Sequence, residues 1–456
     1  MKLRLNEKRN INLTEGSIVS GIIYFAIPLL LSNFLQQLYN TADLMIVGQF
    51  AGKNPMAAVG ATAPIANLLI GLFVGLTTGA SVVVSQFYGS MDRKNLRFAI
   101  HTSYAIAIVG GILLSLIGCI FTPVILKMMS TPEEIMYDAV LYMRIFFVGM
   151  VPLLVYNMGA AILRSVGDSR RPFNFLLISA IVNIVLDILF VAVFKMSVIG
   201  AGIATISSEI ASAILVTYNL VKSDRVFKLD IKDIKFYKGS LGIIFKIGIP
   251  TGIASAVISF SNVMIQGMLN KFGPDAIAGA AAEGRIDGFI FLSLDAIALA
   301  ATTFSGQNFG AGKIDRIREG VKISIYMVVG VCFVLGVLAY AFAVPLIAMF
   351  NSDPGVVKYG VDFMRYLIWA YVFLGISQVL GGFIRGSGSA IVPMYISITS
   401  MCILRLIFLY TVMSFRYQIE VIYVSYPLTW ILSFIMMVIY YKFGNWRSGA
   451  LSNVSE

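Results

Sequence analysis

The chain has 456 residues, of which 58% are hydrophobic and only 12% are charged, and its formal net charge is +11. A soluble domain carries about 25% charged residues, and a mean hydropathy of +0.87 excludes that class. The apolar runs are long and continuous, which excludes a membrane β-barrel with alternating strands. We therefore expect an integral membrane protein built of α-helices. The three cysteines lie in apolar runs without a CxxC pair, and they predict neither a metal site nor a disulfide.

Twelve apolar stretches are long enough to cross a bilayer, which takes about 20 helical residues. In chain order they are residues 17–47, 57–86, 97–123, 135–160, 172–194, 198–221, 240–270, 276–306, 318–346, 357–382, 391–413 and 419–441. A polar, basic stretch separates the first six from the last six. We therefore predict an N-terminal six-helix lobe at residues 1–221, a cytoplasmic linker at 222–239 and a C-terminal six-helix lobe at 240–456.

The basic residues predict the orientation of the spans, because cytoplasmic loops carry an excess of lysine and arginine. If both termini are cytoplasmic, most of the 34 basic residues lie in cytoplasmic segments. The outside loops then hold only Lys53, Lys127, Lys195, Lys271, Lys358 and Arg416. The positive charge is therefore a topology signal and not a footprint of nucleic acid. We expect a multi-pass protein of the cell membrane whose basic linker touches anionic lipid.

The two halves repeat one design at an offset of 221 or 222 residues. Pro28 corresponds to Pro250, and Arg144 corresponds to Arg365. Since each half has an even number of spans, both halves enter the membrane from the same side. They form a parallel repeat about a pseudo-two-fold axis along the membrane normal, with a central cleft between two bundles. This architecture indicates a secondary transporter that works by alternating access.

The glycine-rich motifs do not predict a nucleotide site. Gly310-Ala311-Gly312-Lys313 is followed by Ile314, and its spacing is not that of a phosphate loop. No polar segment is long enough for an ATPase domain, and no nucleophile–histidine pair indicates an enzyme. We therefore expect no cofactor and no catalysis, and an ion gradient remains as the energy source.

Polar residues within the spans are functional candidates, because charge is costly inside a bilayer. Asn183 and Asp187 lie four residues apart and therefore on one face of a helix. Asp43 in the first span and Thr205 in the sixth can add a second carboxylate and a hydroxyl. Such oxygen ligands suit Na⁺, and two neighbouring buried carboxylates can also share a proton. The sequence leaves both coupling ions open, and neither carboxylate has an acidic counterpart in the second half.

The acids of the eighth predicted span and Pro28 can each have a functional or a structural role. Glu283 and Asp295 can bind a cationic substrate if they face the cleft, whereas Asp287 between them can form a salt bridge with Arg285. Pro28 interrupts the first span before Asp43, and it is either a bending point next to a titrating carboxylate or a static kink.

The lone histidine, His101, lies near the start of the third predicted span. We expect it to be solvated or to cap a helix.

Six short motifs carry a resemblance to a known family. They are Ala26-Ile27-Pro28, Asn40-Thr41-Ala42-Asp43, Ser85-Gln86-Phe87-Tyr88-Gly89, Leu163-Arg164-Ser165-Val166-Gly167-Asp168, Gly306-Gln307-Asn308-Phe309-Gly310-Ala311-Gly312 and Ile384-Arg385-Gly386-Ser387-Gly388. With them the chain resembles the multidrug and toxic compound extrusion (MATE) family of the flippase-like superfamily. The resemblance covers almost the whole chain.

The resemblance implies a cation-coupled exporter with a V-shaped cleft between two lobes. It favours the DinF-like branch over the NorM-like branch. The residues that match the N-lobe cation site of the DinF-like branch are Asp43, Asn183, Asp187 and Thr205, with Tyr142 beside them. Glu283 lies in the neighbourhood of a C-lobe acid of the NorM-like branch.

On this basis we expect a monomeric antiporter that exports amphipathic, mostly cationic organic compounds in exchange for H⁺ or Na⁺. The alternative is a flippase for lipid-linked oligosaccharides or precursors from the same superfamily, which would need a strongly basic cleft.

Overall fold

The computed structural model describes residues 12–129, 131–223 and 225–447, and it is helical throughout, with no β-strand in these ranges. The predicted cytoplasmic termini, residues 1–11 and 448–456, lie outside the described residues. The prediction of an all-helical membrane protein is confirmed.

Seven α-helices form the first half of the chain. They are α1 (Ile18–Ile46), α2 (Lys53–Gly89), α3 (Arg93–Met128), α4 (Glu133–Val148), α5 (Met150–Ser165), α6 (Arg170–Asp187) and α7 (Ser197–Val221). A linker with a 3₁₀ turn at Ile231–Asp233 follows. The second half contains α8 (Lys238–Leu269), α9 (Pro274–Gly310), α10 (Ile314–Ala341), α11 (Ala343–Ala348), α12 (Pro354–Ile368), α13 (Tyr371–Gly386), α14 (Ile391–Ile398), α15 (Arg405–Phe415) and α16 (Glu420–Phe443).

The helices agree with the twelve predicted spans. Among the described residues, 10 helical stretches are long and apolar enough to cross a membrane, and two bent pairs bring the number to 12. The bent pairs are α4 with α5, at 46°, and α12 with α13, at 52°. Since these pairs occupy corresponding places in the two halves, the bend belongs to the repeat.

Local sequence explains where several of these helices begin. Asp92 caps α3, because its side chain accepts a hydrogen bond from the Asn95 N–H at 3.1 Å. Asp353 caps α12 in the same way, accepting from the Gly355 N–H at 2.8 Å. Pro354 then occupies the first turn, where a missing N–H costs nothing.

Three π-helical turns interrupt the α-helices, at Val47–Ala51, Ile188–Val193 and Thr399–Leu404. A π-helical turn takes an extra residue, which shifts the register of the side chains after it, and such turns are frequent at functional sites. Two of them follow the first-half carboxylates closely, and the third immediately precedes Arg405.

The described residues divide into two compact units, one of residues 27–245 and one of residues 12–26 and 246–447. In the first unit α5 packs against α2, α3 and α7, and in the second unit α13 packs against α9, α10 and α16. The contacts of these two helices are therefore equivalent under the repeat. A Cβ atom on Gly382 of α13 would lie only 2.6 Å from the Ala298 carbonyl oxygen of α9, so this close approach requires glycine.

Segments that precede the first helix of each half are held in place by hydrogen bonds. In the second unit, Asn308 Nδ2 and Arg316 Nε donate to the Leu13 carbonyl oxygen at 3.0 and 3.2 Å, and Leu13 is buried.

In the first unit, the Asp230 N–H of the linker donates to His101 Nε2 at 3.0 Å. His101 is completely buried by this contact, so the expectation of a solvated histidine is wrong.

Candidate functional site

The two first-half carboxylates lie beside π-helical turns. Asp187 is the last residue of α6, and the π-helical turn Ile188–Val193 follows it directly. Asp43 lies near the end of α1, shortly before the π-helical turn Val47–Ala51. The two turns pack against each other and against α7. Irregular backbone therefore supports both acids from the same side of the first unit.

The structure brings the carboxyl groups of Asp43 and Asp187 within interaction range of each other. Asp187 is fully buried and Asn183 is 1% exposed. No described residue makes a hydrogen bond of ordinary geometry to either Asp187 carboxyl oxygen or to the Asn183 amide. Since unpaired buried polar atoms are costly, this set of oxygens fits a bound proton or a small cation.

Tyr142 and Thr205 lie together near these acids. Tyr142 of α4 and Thr205 of α7 line one small cavity of about 10 Å³. The Tyr142 hydroxyl is within electrostatic range of both Asp43 and Asp187. The Thr205 hydroxyl donates to the Ala201 carbonyl oxygen at 3.0 Å, so its oxygen lone pairs remain open to a ligand. All five sequence-predicted residues of the cation site thus belong to the first unit, with Tyr142 linking the acids to the cavity.

A close approach of α4 and α7 shapes this cavity. A Cβ atom on Gly202 would lie 2.6 Å from Ile145 Cγ2, which is closer than real side chains come. Gly202 lines the cavity together with Tyr142 and Thr205. Gly202 therefore determines how closely Tyr142 of α4 approaches α7, the helix that carries Thr205.

Sequence reasoning assigned no role to Glu209, although the residue was visible as an acid within a span. Glu209 lines the same small cavity and lies within electrostatic range of three tyrosines: Tyr39, Tyr142 and Tyr156. Its position four residues after Thr205 was the available signal, because that spacing places both on one helix face.

The second unit contains a larger cavity of about 440 Å³. Glu283 and Asp287 of α9 line it, together with the aromatic rings of Phe291, Tyr426 and Trp430. Glu283 is 3% exposed, and its Oε1 atom has no hydrogen-bond partner among the described residues. The cavity thus offers acidic groups and aromatic faces to a ligand of organic size.

Buried arginine distinguishes this second cavity. Arg405 is 2% exposed, and its Nε and Nη2 atoms donate to Thr429 Oγ1 at 3.0 and 2.7 Å. Its guanidinium also lies over the Tyr426 ring, 4.5 Å from the centroid. The π-helical turn Thr399–Leu404 directly precedes Arg405.

The remaining sequence candidates are placed as follows. Asp287 accepts a hydrogen bond from the Tyr371 hydroxyl, and the described residues show no salt bridge with Arg285, so that expectation is wrong. Residues two apart on a helix point in different directions, which is the physical reason. Asp295 does not line the cavity. It lies within electrostatic range of Arg385, and Arg385 does line the cavity.

Pro28 lies inside α1, one residue beyond the point where the helix passes from the second unit to the first. The Ser32 hydroxyl donates to the Pro28 carbonyl oxygen at 2.7 Å. Because proline cannot donate the usual helical hydrogen bond, it leaves a carbonyl of the preceding turn without a helical partner. Pro28 therefore interrupts the hydrogen bonding of α1, and its role as a bending point stays a prediction.

In the described part of the chain, no three His, Cys, Asp or Glu side chains lie close enough together to hold a metal ion. The first-unit set differs because an amide and a hydroxyl accompany its two carboxylates. This mixture of oxygen atoms suits Na⁺.

Comparison with known proteins agrees with this geometry. The MatE family profile matches residues 28–189 and 250–411, so its two copies start 222 residues apart. The probable multidrug resistance protein YoeA of Bacillus subtilis is 28% identical over 440 residues, covering 94% of this chain and 95% of that protein. The probable multidrug resistance protein NorM of Thermotoga maritima is 27% identical over 395 residues, covering 84% and 83%. A solved MATE structure in the bent conformation has a TM-score of 0.88 at 21% identity and covers 98% of both chains. The chain belongs to the MatE family and is a multi-pass membrane transporter.

Proposed function

We propose that this chain is an antiporter that exports amphipathic, mostly cationic organic compounds in exchange for H⁺ or Na⁺. Membership in the MatE family and the multidrug-resistance names of YoeA and NorM support this proposal. The observation that carries it is the meeting of Asp43 and Asp187 inside spanning helices, with Asn183 one turn before Asp187 and with buried oxygens that no described residue satisfies.

The coupling ion binds between Asp43 and Asp187. Two buried carboxylates in contact repel each other when both are ionised, and a proton or Na⁺ between them removes that repulsion. Asn183 and Thr205 supply further oxygen atoms if the ion is Na⁺, whereas Tyr142 can hydrogen-bond to the carboxylates when the ion is H⁺. Binding and release of the ion therefore change the balance of forces on α1 and α6.

The helix that carries Asp43 is suited to respond to this change. Pro28 weakens the hydrogen bonding of α1 before the carboxylate, and the π-helical turn Val47–Ala51 weakens it after. A segment between two weak points can move as a unit when the charge within it changes. The bend of α1 then links the ion to the alternating access expected of a parallel repeat.

The organic substrate binds in the cavity of the second unit. Glu283 and Asp287 attract a cationic group, and the faces of Tyr426 and Trp430 attract it further through cation–π interactions. Asp295 contributes through its effect on Arg385. We also propose that both termini are cytoplasmic, that the transporter is a monomer in the cell membrane, and that it belongs to the DinF-like branch.

A lipid-precursor flippase is the second candidate function. Arg385 and Arg405 in the second cavity favour it, because a pyrophosphate group would need such cations. Glu283 and Asp287 in the same cavity oppose it, since they would repel the phosphates.

Dye efflux from proteoliposomes tests the proposal. The purified protein is reconstituted, and export of a cationic dye is followed under an imposed pH gradient, an imposed Na⁺ gradient or neither. We expect export under at least one gradient and none without. Gradient-independent movement of a lipid-linked pyrophosphate, with no dye export under either gradient, would contradict the antiporter and support the flippase.

A further inference from the structure

A basic cleft lies between the first turns of α3 and the linker that follows α7. It has a volume of about 820 Å³, is open to solvent, and belongs wholly to the first unit. Five cationic residues define it: Arg93, Lys94, Arg97, Arg225 and Lys228. Neither the coupling site nor the organic cavity uses any of them.

The linker wall of this cleft is fixed in place. The Asp230 N–H donates to the buried His101, and the Tyr237 N–H donates to Thr102 Oγ1 at 3.1 Å. The Tyr237 ring stacks on Phe98 with 4.2 Å between the centroids. The cleft is therefore a built feature of the fold rather than the chance position of a loop.

The acidic residues of the cleft do not neutralise it. Arg97 forms ion pairs with Asp233 and, at 3.8 Å, with Asp230, so one arginine engages both carboxylates. Three other cations, Arg93, Lys94 and Lys228, are exposed, and none of them pairs with a carboxylate in the described ranges. A field of positive charge therefore remains open to an anion.

Exposed apolar side chains accompany these cations. Val226 lines the cleft and is 40% exposed, and the same linker carries Ile231 at 62% and Phe236 at 45%. Apolar groups beside cations are typical of a surface that rests on a membrane, where the apolar groups enter the interface and the cations meet lipid phosphates. The predicted topology places this linker at the cytoplasmic leaflet.

We propose that the basic cleft binds the headgroup of an anionic phospholipid from the cytoplasmic leaflet. Arg93, Lys94 and Lys228 bind the phosphate oxygens, since arginine and lysine are the usual partners of phosphate. Val226 and Ile231 meet the upper part of the acyl chains. A soluble phosphate would satisfy the cations but would leave the apolar side chains in water, which is why a lipid is the better ligand.

Lipid titration of the full-length protein tests this inference. The protein in detergent is titrated with phosphatidylglycerol, phosphatidylcholine or inorganic phosphate, and retained lipid is measured by native mass spectrometry alongside the thermal unfolding midpoint. A ligand that binds only the folded state raises that midpoint. The test variant replaces Arg93, Lys94 and Lys228 together with glutamine, and it keeps the Arg97–Asp233 ion pair.

We expect the triple variant to lose affinity for phosphatidylglycerol on the order of a hundredfold, at roughly fivefold for each basic residue at a membrane surface. A matched control removes three exposed cations elsewhere, Lys246→Gln, Lys322→Gln and Lys442→Gln, and should bind like the wild type. Equal binding of phosphatidylglycerol by the triple variant, or equal binding of phosphatidylcholine by the wild type, would overturn the cleft as an anionic-lipid site.

A second variant separates lipid from soluble phosphate. Val226→Ser with Ile231→Ser should weaken phosphatidylglycerol binding while all cations remain. If inorganic phosphate stabilises the wild type as strongly as the lipid does, and this variant binds lipid normally, the ligand is a soluble phosphate and the lipid assignment is wrong. This variant also keeps the inference testable if the triple variant fails to fold.

Discussion

The two halves of this transporter share a helical plan but differ in what they bury. In the first unit, Asp43 and Asp187 meet beside a cavity of about 10 Å³ with no arginine in its lining. In the second unit, Glu283 and Asp287 share a cavity of about 440 Å³ with Arg385 and Arg405. The first arrangement has the size and charge for a single small cation. The second has room for an organic molecule and cations that moderate its acids.

The difference shows that the repeat sets the scaffold while unpaired positions set the chemistry. The bent helix pairs and the contacts of α5 and α13 are common to both halves. The carboxylates, the π-helical turns and the buried arginine do not occupy corresponding positions in the two halves. The proposed ion site and the proposed substrate site can therefore differ between the two units without disturbing the fold.

The largest expected effect comes from removing one carboxylate of the first unit. Asp187→Asn or Asp43→Asn should reduce gradient-driven dye export by roughly 5–150-fold, the usual range of a coupling free energy between two sites. The amide of asparagine cannot exchange a proton or balance the charge of a cation. Because it has nearly the same shape as the carboxylate, the helices should still pack. Export is measured in proteoliposomes, and folding by size-exclusion chromatography and circular dichroism.

The control for that experiment is Asp315→Asn, because the Asp315 side chain is 94% exposed at the start of α10. It should export like the wild type. Wild-type export by either Asp43→Asn or Asp187→Asn would remove the first unit from ion coupling.

A smaller effect is expected from the second cavity. The double variant Glu283→Gln and Asp287→Asn should weaken export of permanently cationic dyes on the order of tenfold, the factor that corresponds to about 1.4 kcal/mol of lost attraction. Export of a neutral amphipathic compound should change little. The measurement is concentration-dependent efflux of both compounds under the same gradient. An equal loss for both would mean that these acids serve coupling instead of substrate binding.

The smallest effect on transport is expected from a packing change confined to the first unit, which acts on stability. Gly202→Ala puts a methyl group 2.6 Å from Ile145 Cγ2 and should destabilise the protein by about 1–3 kcal/mol. The thermal unfolding midpoint should fall by several degrees. Gly330→Ala in α10 is the matched control, since no atom lies within 4 Å of its added Cβ. Equal midpoints for the two variants would show that the α4–α7 approach is not tight.

Much of the fold follows from sequence because its signals are long. An apolar run of spanning length has few alternatives, and one offset links Pro28 to Pro250 in agreement with the two MatE matches. The i,i+4 spacing of Asn183 and Asp187 fixes their common face. Their meeting with Asp43 is a contact between distant helices, and the family resemblance predicted it where spacing could not.

Other parts of the sites lie beyond such signals. A π-helical turn differs from an α-helical turn by one residue and has no apolar signature, so the turns after Asp43 and Asp187 were not predicted. Arg405 was an isolated cation in an apolar run, and its contacts with Thr429 and Tyr426 depend on how distant helices pack. Asp287 similarly found a partner in Tyr371, which lies far along the chain.

The placement of residues 12–26 in the second unit has a consequence for biosynthesis. Asn308 and Arg316, which hold Leu13, are made 295 and 303 residues after it. The second unit therefore cannot be completed from the C-terminal half alone, and a chain cut at the linker would yield a fragment with those side chains deprived of their acceptor. Coexpression of that fragment with a peptide containing residues 12–26 would restore the acceptor.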